Sequence, residues 1–312
     1  MIDLSLSQAM ESYMLTCRSE RKSPKTMRGY HDVLCEFINF TTNITVGSLC
    51  PDHIRGYMAT LAEKPGKVPG RQFSSASMMK HYQVVRTWTK WMYSQEMITS
   101  NPFDKTKAPR LGDRLPSVLT DDEVKALFSH LKEERGRFRD TVIFTLFLDT
   151  GMRLDEVANL KMSDLHINEG WVHIANGKGD KEDIVPLGNR CARDLFTYIH
   201  SHRQANAGEQ TVFIGKSGYG LGYEGLAIMV RRAISEIRVG EGKRGAHVLR
   251  HTMATNFLRA GGNLETLRRI LRHNDIKVTQ IYAHLANEDI LAEHRELSPL
   301  DFVYRQQGRG RR

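Results

Sequence analysis

Six side chains able to act on a phosphate follow one another along the chain from residue 153 onward. Arg153 sits in Thr150-Gly151-Met152-Arg153. His247, Arg250 and His251 share the run His247-Val248-Leu249-Arg250-His251. His273 follows, and Tyr282 comes nine residues later. Two guanidinium groups and several imidazoles near one phenol make a poor apolar core but a good seat for a phosphodiester. Attack on a phosphodiester builds charge on its non-bridging oxygens, and fixed cations and donors aimed at those oxygens stabilise it. Arginine suits the task because its planar fork matches two phosphate oxygens and keeps its charge.

His247 and Arg250 are three residues apart, and His247 and His251 four apart, so all three can share one helix face. Two histidines at that spacing could hold zinc, but the metalloprotease pattern needs glutamate in second place, and here it is Val248. The reading is therefore of a site without a metal or other cofactor. Glu156, three residues after Arg153, shares a face with it and is placed to orient Arg153 or His247. A phenol titrates near ~10 and needs neighbouring cations and a base. His247 can accept its proton, because unperturbed imidazole titrates near ~6.5. Lys178, in Asn176-Gly177-Lys178-Gly179, sits at the tip of a glycine-rich hairpin, with Lys181 as the alternative cation there. The same segment lacks the spacing of a nucleotide-binding P-loop.

These blocks, in this order, resemble the tyrosine recombinase family of phage integrases and Xer-type recombinases. Thr150–Leu160 resembles its first arginine motif, His247–His251 its His-x-x-Arg-His motif, and Leu271-Arg272-His273-Asn274-Asp275 the block before the nucleophile. Thr279-Gln280-Ile281-Tyr282-Ala283-His284 resembles the nucleophile segment. The resemblance implies a catalytic set of Arg153, Lys178, His247, Arg250, His273 and Tyr282, with Glu156 and His251 behind it. Tyr282 would form a 3′-phosphotyrosyl bond, and Lys178 would protonate the leaving 5′-oxygen. It also implies a site-specific recombinase acting on double-stranded DNA as a homo-tetramer on two sites, through a Holliday junction, with or without accessory proteins. Integration, excision or resolution of a mobile element or chromosome dimer would all fit. Arg272 departs from the pattern, which usually has glycine there, and Asp183 stands where relatives often carry arginine. Two alternatives use the same residues: a type IB topoisomerase-like relaxation enzyme, and a catalytically impaired DNA-binding protein of this fold.

Positioning such a set takes two domains. The 312 residues suffice for two. The expectation is a mainly α chain with a small β-sheet: an N-terminal four-helix core-binding domain over 1–106, a linker over 107–116, and a mixed α+β catalytic domain over 117–312 with an oligomerisation tail. Helices are expected over Ser7–Arg18, from Ser23-Pro24, from Pro51, and over Ser75–Glu96. In the second domain Thr120-Asp121-Asp122-Glu123 reads as a capping box. Thr141–Leu148 reads as a buried helix, and Trp171–Ile174 and Ile184–Leu187 as short strands. Helices are then expected over Leu195–Ser201, Glu224–Ile237, His247–Arg259, Leu264–Arg272, Val278–His284 and Glu288–Arg295. The tail apolar residues Ile290, Leu291, Leu297 and Leu300 would pack on a neighbouring subunit.

The formal net charge is +9, and residues 1–115 hold 16 Lys+Arg against 10 Asp+Glu. That places most of the excess in the first third, as a module gripping a polyanion would have it. Candidate DNA contacts are Lys25, Arg28, Lys80, Arg86, Lys107, Arg110, Lys181 and Arg272. The four cysteines are scattered without a Cys-x-x-Cys pair, which speaks against a zinc knuckle or a disulfide framework. With no signal-like start and no apolar run of spanning length, the expected location is cytoplasmic, on the nucleoid, away from membranes.

Overall fold

The computed structural model describes residues 4–66, 72–109, 116–133, 138–174, 183–237, 239–240, 245–273 and 275–286. The hairpin tip with Lys178 and Lys181, the linker residue Arg110, and the chain after residue 286 therefore lie outside the described residues. So do the expected helix Glu288–Arg295 and the four tail apolar residues. The chain divides into two compact units, Met1–Arg114 and Leu115–Arg312.

The first unit is built from α1 (Leu6–Ser19), α2 (Pro24–Phe40), α3 (Pro51–Glu63) and α4 (Ser75–Ser94). Its helix starts are written in the sequence. Ser5 and Gln8 form a reciprocal capping box, and Ser23 and Ser74 each accept the N–H three residues on. Pro24 and Pro51 occupy first-turn positions, where a missing N–H costs nothing. The helices close on Phe37, Tyr57 and Trp88, with Phe37 edge-on to both rings. The Tyr57 hydroxyl lies 2.7 Å from Nδ1 of His81, which satisfies a buried polar pair between α3 and α4.

The second unit centres on α6 (Phe138–Thr150), buried from Asp140 through Phe147 and again at Thr150. A helix apolar on all sides must be covered on all sides. Around it pack α5 (Asp121–Glu133), α8 (Asn189–Ser201) and α10 (Ala246–Arg259). The capping box at α5 forms as read: Thr120 N–H donates to Glu123, and Glu123 N–H donates to the Thr120 hydroxyl. The three-stranded antiparallel sheet runs β1 (Leu165–His166), β2 (Trp171–Ile174), β3 (Asp183–Pro186), with Val172 opposite Val185. The two-residue β1 was not anticipated. α8 starts six residues before the expected Leu195, because Cys191, Leu195 and Tyr198 form one buried face. α7 (Leu154–Ala158), α9 (Gly222–Glu236), α11 (Leu264–Leu271) and α12 (Ile276–Ala286) complete the described α-helices. α10, α11 and α12 pack together around a small second core of Met253, Ala254, Leu267, Leu271 and Tyr282.

Candidate active site

Each candidate side chain is placed by a specific break in regular structure. α6 ends at Thr150, whose hydroxyl donates back to the Leu146 carbonyl. Gly151 then takes φ +64, a conformation that favours glycine, and the chain turns into α7 with Arg153 as its N-cap. A Cβ at Gly151 would lie 2.9 Å from Leu271 and 3.1 Å from Met253, so α10 and α11 pack directly on this turn. The Gly151 carbonyl faces Arg250, whose Nη1 donates to it at 2.6 Å. Arg250 Nη2 donates to the Leu271 carbonyl at 2.6 Å and lies 3.1 Å from Nε2 of His273. One guanidinium, 5% exposed on α10, thus ties the end of α6 to the end of α11. Burial and the neighbouring Arg153 depress its pKa to about 10, which still leaves it charged at neutral pH.

Arg153 and Glu156 face each other as their spacing implied. Glu156 accepts from the Arg153 backbone N–H at 2.7 Å and from Nη1 at 2.9 Å. Its second Arg153-like partner is Arg272, which donates to Oε2 from a position 116 residues away. Burial pushes the Glu156 carboxyl up, but Arg272 and Arg153 outweigh it and hold the group below the usual carboxylate range. Of the two partners the sequence offered it, Glu156 is hydrogen-bonded to Arg153. Arg272 was expected to touch DNA; its side chain is instead 6% exposed and turned inward to Glu156, because a guanidinium so close to a buried carboxylate is drawn to it. It caps α11 with φ +55, the left-handed turn that a glycine takes without strain. For a residue with a Cβ that conformation costs on the order of 1–2 kcal/mol.

Tyr282, on α12, is 3% exposed and belongs to the small second core. Its hydroxyl lies 2.8 Å from Nδ1 of His251. Burial raises the phenol pKa, and Arg250 partly opposes that. Burial, with His247 and Arg250 nearby, lowers His251 to about 4. The imidazole is thus neutral at pH 7, and the phenol donates to Nδ1 when the ring carries its proton on Nε2. Sequence reasoning gave the tyrosine proton to His247 and a supporting role to His251; in the structure it is His251 that lies within hydrogen-bond reach of the phenol. The His247 ring stands 6.4 Å from the His251 ring. His273 is lowered to about 4 by burial and by Arg250, Arg153, Arg272 and His251. Its Nδ1 lies 3.0 Å from the hydroxyl of Thr279, and its ring stacks 6.5 Å from Tyr282.

A cleft of about 300 Å³ opens beside this set, lined by Arg153, His247 and Arg250 together with Tyr223 and Arg231 of α9. A larger cleft of about 700 Å³, with Arg139, His202 and Lys216 in its walls, contains none of the candidate residues. There Arg139 is engaged with Asp140 and the Ile214 carbonyl. The smaller cleft brings three cationic side chains, Arg153, Arg231 and Arg250, to one wall beside His247. Sequence reasoning missed Thr279, which holds the back of His273, and the carbonyls of Gly151 and Leu271, which hold Arg250. Thr279 carried a faint signal, as a polar residue one helical turn before Tyr282; the carbonyls carried none. Among the described residues no group of His, Cys, Asp and Glu could hold a metal ion. The four cysteines are free. Of the candidate DNA contacts on the first unit, Lys25, Arg28, Lys80, Arg86 and Lys107 are all exposed.

The fold and the site together define an enzyme with a tyrosine set among arginines and histidines on a mixed α+β domain, preceded by a helical domain. The chain belongs to the phage integrase family. The family's sequence pattern matches residues 117–289, and the pattern described as phage integrase, N-terminal SAM-like domain matches residues 9–99. The tyrosine recombinase XerC of Pseudomonas fluorescens is 27% identical over 94% of this chain and 97% of its own length. The fold is similar to that of the Tn1549 transposon integrase in complex with transposon right end DNA (TM-score 0.78, 17% identity, 95% of this chain and 100% of that one). It is also similar to lambda integrase in a tetramer bound to a Holliday junction (TM-score 0.72, 16% identity, 90% of this chain and 78% of that one). The chain is a tyrosine-type site-specific DNA recombinase, and these matches do not favour the topoisomerase alternative.

Proposed function

We propose that Tyr282 is the nucleophile that cuts DNA in this recombinase. Its Oη forms a bond to the scissile phosphorus, and the bond from phosphorus to the 5′-oxygen breaks. The product is a 3′-phosphotyrosyl link and a 5′-hydroxyl. The observation that carries this reading is the phenol hydroxyl 2.8 Å from the His251 imidazole, with Arg250 next to it. His251 takes the phenol proton. Arg153, Arg250 and His273 hold the charge that develops on the non-bridging oxygens, and His247 faces the same cleft. The leaving 5′-oxygen takes its proton from Lys178, an assignment that rests on the sequence motif alone. A 5′-hydroxyl from a second strand then attacks the phosphotyrosine and releases Tyr282. The exchange conserves bond energy and consumes no nucleotide.

The full reaction joins two sites within a homo-tetramer through a Holliday junction, in the cytoplasm and on nucleoid DNA. Similarity to a lambda integrase tetramer on such a junction supports the assembly. Similarity to a transposon integrase supports a mobile element as the substrate's source. Among the described residues no helix is long and apolar enough to cross a membrane. The test is covalent trapping on nicked duplexes drawn from the DNA flanking the gene. The wild-type protein should give an adduct that survives detergent, and Tyr282→Phe should give none while still retarding the duplex in a gel. An adduct from the phenylalanine variant would remove Tyr282 as nucleophile.

A further inference from the structure

We propose that Arg272 is a positioning residue that sets the aim of Arg153 through Glu156, an inference that rests on the phosphate-binding role proposed above for Arg153. Three facts carry it. Arg272 occupies a left-handed turn at φ +55, where glycine would relieve the strain, so the turn alone gives no reason for an arginine. Its side chain is nonetheless buried and committed to Glu156, which is itself 9% exposed. And Glu156 divides its two oxygens: Oε2 receives Arg272 and the Arg153 backbone N–H, while Oε1 receives the Arg153 guanidinium.

The consequence is mechanical. Arg272 pins Oε2, and this fixes the plane of the carboxylate. The plane fixes where Oε1 stands, and Oε1 holds one edge of the Arg153 guanidinium at 2.9 Å. The rest of that guanidinium faces the cleft shared with His247 and Arg250. Because His273 follows Arg272 directly in the chain, the same ion pair also joins the histidine's turn to the cap of α7. Arg153 and His273, both proposed to hold the phosphate, are thus registered against each other by an ion pair that spans 116 residues. A placement error of an ångström in such a set is enough to slow the chemical step by about 100-fold.

The test uses the full-length protein and a nicked duplex selected from a random-sequence pool by covalent capture on the wild type. Arg272→Gly keeps the turn and removes the ion pair. Single-turnover cleavage should slow by roughly 10- to 100-fold, with duplex affinity within about twofold of wild type. Arg272→Lys, which keeps a cation but not the fork, should recover part of the rate. The acid limb of the pH–rate profile should move upward in Arg272→Gly, because Glu156 loses the cation that most favours its ionised form. In the Glu156→Gln background the further loss from Arg272→Gly should vanish. Wild-type cleavage by Arg272→Gly would overturn the proposal, and a full, additive loss in that background would show that Arg272 acts on DNA directly.

Failure of the wild type to capture any duplex would sink the proposed function, and the positioning inference has its own readout there. Rotation of the Arg153 guanidinium, followed by NMR in the DNA-free protein, should quicken by about tenfold or more in Arg272→Gly, the counterpart of a restraint lost. Unchanged rotation would overturn the inference whatever the DNA chemistry.

Discussion

The hydroxyl of Tyr282 and Nδ1 of His251 are 2.8 Å apart, on α12 and α10, although 31 residues separate them in the chain. The contact gives a buried phenol a polar partner and, in the same geometry, a proton acceptor. Replacing His251 by Phe keeps the ring's bulk and leaves the hydroxyl unsatisfied, at a cost of about 1–3 kcal/mol. Removing the acceptor should also slow adduct formation by roughly 10²- to 10⁴-fold. His247→Phe should leave stability closer to wild type. Melting temperature and single-turnover trapping separate the two effects, and His251→Phe with an undiminished trapping rate would return the proton-acceptor role to His247.

Stability should fall as pH is lowered from 7. Folding lowers His251 and His273 to about 4, from an unperturbed ~6.5. Between those values the unfolded chain binds protons that the folded chain refuses, so stability drops as pH falls through that window and levels off below it. Glu156 adds to the loss at the acid end: its folded pKa is depressed, so its contribution is present above the ordinary glutamate value of ~4.3 and fades below it. Chemical denaturation at pH 7 and at pH 5 should show the difference, and His273→Gln should flatten it. A pH-independent midpoint across this range would contradict the burial assigned to both imidazoles.

Much of this was legible in the sequence because it is local. Ser23-Pro24 and Thr120 with Glu123 each announce a helix start within four residues, and the structure uses both. The apolar run through Val142–Leu148 could only be a covered helix. Arg153, Arg250, His273 and Tyr282 stood out by type and order, and the structure sets Arg250 beside His273, His273 beside Tyr282, and Arg153 on a cleft wall with Arg250. What stayed hidden depends on contacts between distant segments. Arg272 looked like a surface cation until Glu156, 116 residues upstream, appeared beside it. The choice between His247 and His251 could not be read from their spacing, since one turn of α10 separates them and only the packing of α12 decides which ring meets the phenol. β1 was missed because two residues carry no period.

Gly151 links the fold to the site. Its carbonyl accepts from Arg250 at 2.6 Å, and its φ is +64. In Gly151→Ala the new Cβ would enter Leu271 at 2.9 Å and would occupy a conformation costing on the order of 1–3 kcal/mol. The turn must shift, and the Arg250 anchor shifts with it. The expected result is a destabilisation of about 2–4 kcal/mol by denaturant melt together with loss of adduct formation at temperatures where the variant remains folded. A variant that melts early yet cuts normally would show that Arg250 does not depend on this carbonyl.

The exposed cations of the first unit predict a salt effect. Lys25 and Gly29 lie four apart on α2, hence on one face, and the Lys80 amino group of α4 lies 3.5 Å from where a Cβ on Gly29 would stand. Lys25, Arg28 and Lys80 thus gather on one exposed patch of two packed helices. If each holds one phosphate, replacing it by alanine should weaken duplex binding about equally for any sequence. It should also reduce the slope of log affinity against log salt by ~0.9 per residue, or about 2.7 for the triple variant. Trapping at saturating DNA should be retained, since these residues stand in a separate unit from Tyr282, the proposed nucleophile. A triple variant with the wild-type salt slope would mean that the DNA backbone follows another surface of this unit, leaving Arg86 and Lys107 as the next exposed cations to replace.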